Sequence, residues 1–253
     1  MVNLEELIDN QITNQTISLT AIIDSALCVG AGGSSGSLAD KPIIRNAEGK
    51  LLIPGSQLKG RLRHECEKLA RGLTWSICNS PNPVTMCPQR AGFSEEEEAK
   101  FHIEPYSLDN QDQDSQTVYH CLICQIFGNP SLPSRLLCDD LICEVAPENL
   151  PEVLRPGVTI NRRRRTAEEQ KLYYLETSPV NTQLPFTGAI HLHPQAPLPS
   201  KPLILAALRH INALGGSKSA GLGWLHWQID TQIEDIQDQE WDALKFPTVK
   251  QEE

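Results

Sequence analysis

The chain has 253 residues, a formal net charge of −10 and eight cysteines. That length suits one large domain with insertions or two small ones, and no apolar run approaches the roughly 20 residues of a membrane span. Residues 1–10 carry Glu5, Glu6 and Asp9 instead of the basic region of a secretory signal, so a cytoplasmic location is expected.

In chain order, residues 16–24 (TISLTAIID) alternate, with Ile17, Leu19, Ala21 and Ile23 on one face, and predict a first strand. Residues 31–37 (AGGSSGS) carry too much Gly and Ser for anything but a loop. Residues 50–53 read as a short strand stopped by Pro54-Gly55, and Ser56 can cap the next helix by accepting an orphan N–H of its first turn. That helix spaces Leu58, Leu62, Cys66, Leu69 and Leu73 as an apolar stripe, with Lys59, Arg61, Arg63, Lys68 and Arg71 on its other faces. Residues 76–128 mix Pro, Asn, Cys, a Glu run and a Gln/Asp-rich stretch, the composition of an insertion.

Strand character returns at 136–145. Residues 157–178 bring an arginine cluster and then an apolar, aromatic run, and 186–193 alternate as a strand. A second amphipathic helix is expected over 202–214, with Ile204, Ala207, Leu208, Ile211 and Leu214 inward. A glycine-rich loop at 215–223 and a closing strand at 224–229 follow, and the tail beyond Asp230 is polar and acidic. Two helices against one mainly antiparallel sheet is an α+β arrangement, compatible with a ferredoxin-like unit carrying large insertions.

An acidic total weighs against indiscriminate binding of nucleic acid, because phosphate affinity comes from Lys and Arg. The charge is unevenly placed, however. Acids crowd into residues 95–114 and the tail, bases into 59–71 and 155–171. The local patch decides an electrostatic footprint.

Thiols in a reducing compartment pair around metals more often than as disulfides. Cys121-x-x-Cys124 can approach one ion from a tight knuckle, and Cys78 and Cys87 bracket a Pro-rich loop able to complete a tetrahedral zinc site. A loop insertion with little apolar content needs such a staple. His120 is an alternative fourth ligand, while Cys28, Cys66, Cys138 and Cys143 read as buried apolar thiols. Four thiolates leave no open position, so the zinc would be structural, not catalytic.

Arg162, Arg163, Arg164 and Arg165 form a dense positive block beside Tyr173 and Tyr174. Guanidinium forks suit phosphates and also stack on bases, though a charge run is often only a solvated face. The loop at 215–223 can present backbone N–H groups, with Lys218 adding charge, but it lacks the Walker A spacing. Asp40 follows the AGGSSGS loop, where a carboxylate can bind a metal or move a proton, or simply serve a turn.

Three segments taken together resemble the RAMP superfamily, and specifically the backbone subunit of type III CRISPR effector complexes. Ile53-Pro54-Gly55-Ser56-Gln57-Leu58-Lys59-Gly60 is similar to the family's Pro-Gly-Ser-x-Leu-Lys-Gly helix start. Gly157-Val158-Thr159-Ile160-Asn161-Arg162, with Lys171-Leu172-Tyr173 and Glu176 after it, resembles a Gly-Val-x-Ile-Asp-Arg segment and its following strand, with Asn161 where an aspartate is usual. Gly215-Gly216 through Gly221-Leu222-Gly223 resembles the C-terminal glycine-rich loop.

The resemblance implies a modified ferredoxin-like (RNA-recognition-motif) domain over residues 1–230. Residues 76–128 would be its zinc-binding insertion, 155–180 a β-hairpin thumb, and 231–253 an acidic tail. It implies guide RNA, target RNA, other type III subunits and copies or paralogues of the chain as partners, and no membrane. The catalytic residue of such members sits where Asp40 stands, and the implied reaction is Mg²⁺- or Mn²⁺-dependent cleavage of target RNA by the neighbouring 2′-hydroxyl. Lys59, Arg61, Arg63, Arg162 to Arg165 and Lys218 are the expected guide-RNA contacts. The alternatives are a backbone subunit that binds guide without cutting, and a zinc-stabilised interaction module.

Overall fold

The structure, a computed structural model, describes residues 15–30, 39–75, 77–87, 105–106, 118–180 and 182–230. The loop expected at 31–37, most of the acidic run at 95–114 and the tail beyond Asp230 lie outside the described residues.

Strand β1 (Gln15–Ile23) buries Ile17, Leu19, Ala21 and Ile23, the face its alternation predicts. It pairs antiparallel over its whole length with β9 (Leu184–Leu192) and, on its other side, with β10 (Leu225–Ile229). Beyond β9 lie β5 (Leu136–Cys138) and β6 (Leu141–Cys143), and β6 carries β2 (Leu52–Ile53). The sheet therefore runs β10-β1-β9-β6-β2, with β5 beside β9, and every one of these pairs is antiparallel. A separate two-residue ladder joins β3 (Pro105–Tyr106) to β4 (Val118–Tyr119).

Helices α1 (Gly55–Gly72) and α3 (Ser200–His210) pack on each other and cover one face of this sheet. Of the predicted α1 stripe, Leu58, Leu62 and Cys66 are buried in one core with Phe186 and Ile190, Leu69 is partly buried against that core, and Leu73 lies past the helix end and is exposed; Ala70 is buried as well. Ile204, Ala207, Leu208, Ile211 and Leu214 are all buried as expected. The helix, however, stops at His210. From there Ala213 bridges Trp224 and the Leu225 amide donates to the Asn212 carbonyl, so ladder bonds to the closing strand replace helical ones.

The strand expected at 136–145 is broken at Asp139 and Asp140, and the break serves α1. The Gly55 amide donates to Asp140 Oδ1 at 2.7 Å, so the carboxylate that stabilises the positive end of the helix comes from a distant turn. Ser56 is exposed in the first turn, and Pro54 precedes the helix with no side-chain cap. The expected Ser56 cap is thus supplied by Asp140 instead. A Cβ on Gly55 would run into the Cys138 and Asp139 carbonyls, which is the physical demand behind glycine in Pro54-Gly55-Ser56.

Strands β7 (Val153–Asn161) and β8 (Thr166–Thr177) form a second antiparallel ribbon, about 30 Å long at ordinary strand rise. Register pairs Pro156 with Tyr174 and Val158 with Leu172, and a bulge falls between Val158 and Ile160. Leu154, Val158, Ile160, Leu172 and Tyr174 are exposed along it.

Candidate functional site

The cysteine centre is built from two segments. Cys121 precedes α2 (Leu122–Phe127), whose first turn carries Cys124, and residues 77–87 bring Cys78 and Cys87 across. All four thiols are buried, and their Sγ atoms lie within 4.8 Å of one another. Cys78 Sγ stands 3.5 Å from Cys124 Sγ, and Cys121 Sγ 3.7 Å from Cys78 Sγ. With Zn–S near 2.3 Å a tetrahedron has edges of about 3.8 Å, so the donor set fits zinc. The Cys121 amide also donates to Cys87 Sγ at 3.2 Å, a bond that favours the thiolate a metal requires.

Hydrogen bonds from Cys121 and then Cys124 pull the Cys78 thiol far below its usual range, and Cys121 is raised in exchange, first by Cys124. His120, the alternative ligand, is buried with Nδ1 at 2.8 Å from Asn129 Nδ2, outside the thiol group. This buried cluster of four cysteines can bind a metal such as zinc.

Arg63 reaches the same centre from α1. Its guanidinium donates to Glu67 Oε1 at 3.1 Å and to the Gly128 carbonyl at 3.0 Å, and lies 3.9 Å from Cys124 Sγ. Burial works against its charge, but Glu67 and then the Cys124 thiol offset this and raise its pKa. A zinc tetrathiolate held there would carry two net negative charges, and Arg63 would be its adjacent counter-charge. The other expected α1 bases are also engaged inside the protein: Lys59 Nζ donates to Ser134 Oγ at 2.8 Å, and Arg61 pairs with Glu65 at 3.0 Å.

Arg162 to Arg165 form the turn between β7 and β8, and all four are exposed. Asn161 organises this turn. Its Oδ1 accepts from the Arg163 and Arg164 amides at 3.1 Å, as an aspartate could, while its Nδ2 donates to Glu168 Oε1 at 3.2 Å, as an aspartate could not. Arg165 adopts the left-handed region at φ 56°, where a side chain costs about 1–2 kcal/mol over glycine.

Asp40 lies at the base of that ribbon. Its Oδ2 accepts from the Tyr174 amide at 2.7 Å, and its own amide donates to the Tyr174 carbonyl at 3.0 Å. The side chain is exposed, and among the described residues Oδ1 takes no partner. Residues 39–45, which showed no strand signal, run beside β8 through a parallel bridge from Lys41 to Leu175. Buried Glu176 holds them there, an interaction with no counterpart in local sequence pattern.

The glycine-rich loop closes the neighbourhood. Gly216 and Gly223 donate to the carbonyls of Cys28 and Ala26, and Leu27 exchanges backbone and side-chain bonds with Ser178 at the end of β8. Gly215, Gly221 and Gly223 all have positive φ, so the loop geometry itself demands glycine. Lys218 is exposed, with Nζ 3.1 Å from the Gly215 carbonyl. Lys41 and Arg155 both act electrostatically on Cys28, whose thiol burial raises. Loop, ribbon base and the Asp40 segment therefore meet around residues 26–30.

No helix among the described residues is long and apolar enough to cross a membrane. A model of the RAMP superfamily matches residues 21–226. No curated protein matches the chain significantly.

Proposed function

Because this chain belongs to the RAMP superfamily, whose membership points to CRISPR-associated RNA binding, we propose that it is a type III backbone subunit that holds guide RNA and cleaves complementary target RNA. The observation that carries the reading is the Asp40 carboxylate, held at the base of a ribbon whose far turn is four exposed arginines. The sheet order supports the ferredoxin-like part. Counting β1, the β5/β6 pair, β9 and β10 as four strands, with α1 and α3 as the two crossovers, the spatial order is 4-1-3-2 and antiparallel. On this reading residues 1–230 are one such domain, 76–128 its zinc-stapled insertion and 155–180 the thumb, and the complex works in the cytoplasm.

Sequence is then read by base pairing, and the protein needs only backbone contacts. Arg162 to Arg165 and Lys218, which are exposed, are the direct phosphate contacts. Lys59, Arg61 and Arg63 have internal partners and act on RNA mainly through their field.

For cleavage, the ribbon splays the target so that a 2′-hydroxyl lies in line with its own 3′-phosphate. The 2′-oxygen bonds to phosphorus, the P–O5′ bond breaks, and a cyclic phosphate and a 5′-hydroxyl result. Asp40 orients or accepts the 2′-hydroxyl proton through Oδ1, and solvent protonates the leaving oxygen. Mg²⁺ takes one or two carboxylates and otherwise waters and phosphate oxygens, so Asp40 fits it as a single-oxygen ligand. Bound there, the ion would stabilise charge on the phosphate.

The test is cleavage of a guide-complementary RNA by the assembled complex, wild type against Asp40→Ala, with and without Mg²⁺. Metal-dependent cuts that vanish in Asp40→Ala, with guide still bound, are the expected result. Unchanged cuts would make the chain a non-catalytic backbone subunit. A preparation free of RNA would favour a zinc-stabilised interaction module.

A further inference from the structure

Asp40 is exposed, and it stands just before residues 41–45, which run beside β8. It is tied to β8 by two bonds to Tyr174. Those bonds form only if residues 41–45 lie alongside β8 in register. Glu176 secures that register from inside the protein. It is buried, with Oε2 accepting from the Ile43 amide at 3.0 Å and Oε1 paired to Arg45 Nη2 at 3.1 Å. Its own amide donates to the Lys41 carbonyl at 3.1 Å. Arg45 in turn donates to the Gly49 carbonyl at 3.2 Å, so the cation is anchored on its own side as well.

A buried carboxylate is costly unless each oxygen is paired, and Glu176 is paired on both. Two residues before Glu176 on β8, Tyr174 engages one oxygen of Asp40 in the same way, and the other oxygen has no partner among the described residues. The strand thus meets two carboxylates from the 39–45 region and β8 that do opposite work: one saturated and buried, one half-used and open.

We propose that Glu176, with Arg45, is the positioning residue of the cleavage site, fixing residues 41–45 on β8 so that Asp40 docks on Tyr174 with Oδ1 presented to the target RNA. This rests on the function proposed above. It also gives that function a dependence on the ribbon, because whatever shifts β8 shifts Asp40. An outer partner that orients a reacting carboxylate commonly contributes about ten- to hundred-fold in activity, and small misplacements of a reacting group are of that order.

The experiment uses the guide-loaded complex carrying Glu176→Gln, Arg45→Met, Arg45→Lys or Asp40→Ala. Gln keeps the shape and an acceptor for Ile43 but meets Arg45 without a charge. Single-turnover cleavage at saturating target, target affinity, and amide hydrogen exchange at Asp40 and Tyr174 are measured on the same preparations.

The expected result is cleavage slowed about ten- to hundred-fold in Glu176→Gln and Arg45→Met, with guide and target binding unchanged. Faster exchange at Asp40 and Tyr174 should accompany it, and Arg45→Lys should recover part of the rate. Full-rate cleavage by Glu176→Gln and Arg45→Met, in a series where Asp40→Ala is inactive, overturns the positioning role and leaves Asp40 in place. Loss of target binding in step with rate also overturns it, since the ribbon itself would then have been lost. Wild-type cleavage by Asp40→Ala overturns the function on which the inference rests, and the inference with it.

Discussion

Removing metal from the cysteine centre should destabilise the protein by an amount the chain geometry sets. The centre joins Cys87 to Cys121, 34 positions apart, and a metal clip that closes such a loop restricts the unfolded chain. Treated as a cross-link of that span, it contributes about 4 kcal/mol at 25 °C. For a domain of this size each kcal/mol moves Tm by about 2–4 °C, so chelation should lower Tm by about 8–16 °C. The assay is thermal unfolding with and without a strong chelator, beside metal content by mass spectrometry, with one zinc expected per chain. Cys124→Ser should start near the chelated Tm and respond little to chelator. Its loss also removes one of three groups the Arg63 guanidinium contacts, the Cys124 Sγ at 3.9 Å. A chain with no zinc as purified, and a Tm indifferent to chelator, would refute the reasoning.

Replacing Arg162 to Arg165 with Gln should flatten the dependence of guide affinity on salt. Each lost contact with single-stranded phosphate removes about 0.7 from the log–log slope, so four remove about 3; an unchanged slope would place the RNA elsewhere. Asn161→Asp should loosen the arginine turn, because it sets two carboxylates 3.2 Å apart where Nδ2 now donates to Glu168; faster amide exchange at Arg163 and Arg164 is the readout. Leu62→Ala, at a fully buried position on α1, should cost about 2–5 kcal/mol in denaturant unfolding. Burial pushes the Cys138 thiol up to about 12, so at pH 8 it should resist alkylation in the folded chain, while the four cluster thiols become reactive after chelation.

Elements whose packing is written into their own period were legible from residues alone. The alternation of β1 and the inward set Ile204 to Leu214 bury the predicted side chains, and the α1 stripe does so at Leu58, Leu62 and Cys66, because a strand or helix that hides one face must repeat with its own geometry; only Leu73, past the helix end, comes out exposed. The cysteine centre was legible for a similar reason: a knuckle pair and a distant pair are a chemical requirement, and four Sγ atoms do come together. Boundaries were less so. The end of α3 at His210 and the break between β5 and β6 come from bonds to other segments, not from local propensity.

The site shows the same division more sharply. Residue types announced that a carboxylate, an arginine block and a glycine loop were present. Only the folded chain decided that Asp40 docks on Tyr174 and that Arg63 faces the thiols, not open solvent. It also decided that Asp140 caps α1 from 85 positions away and that Glu176 holds Arg45 across 131. Period and composition report what a residue does with its near neighbours. The partner that satisfies a buried or half-buried charge is chosen by three-dimensional proximity, which no local pattern encodes.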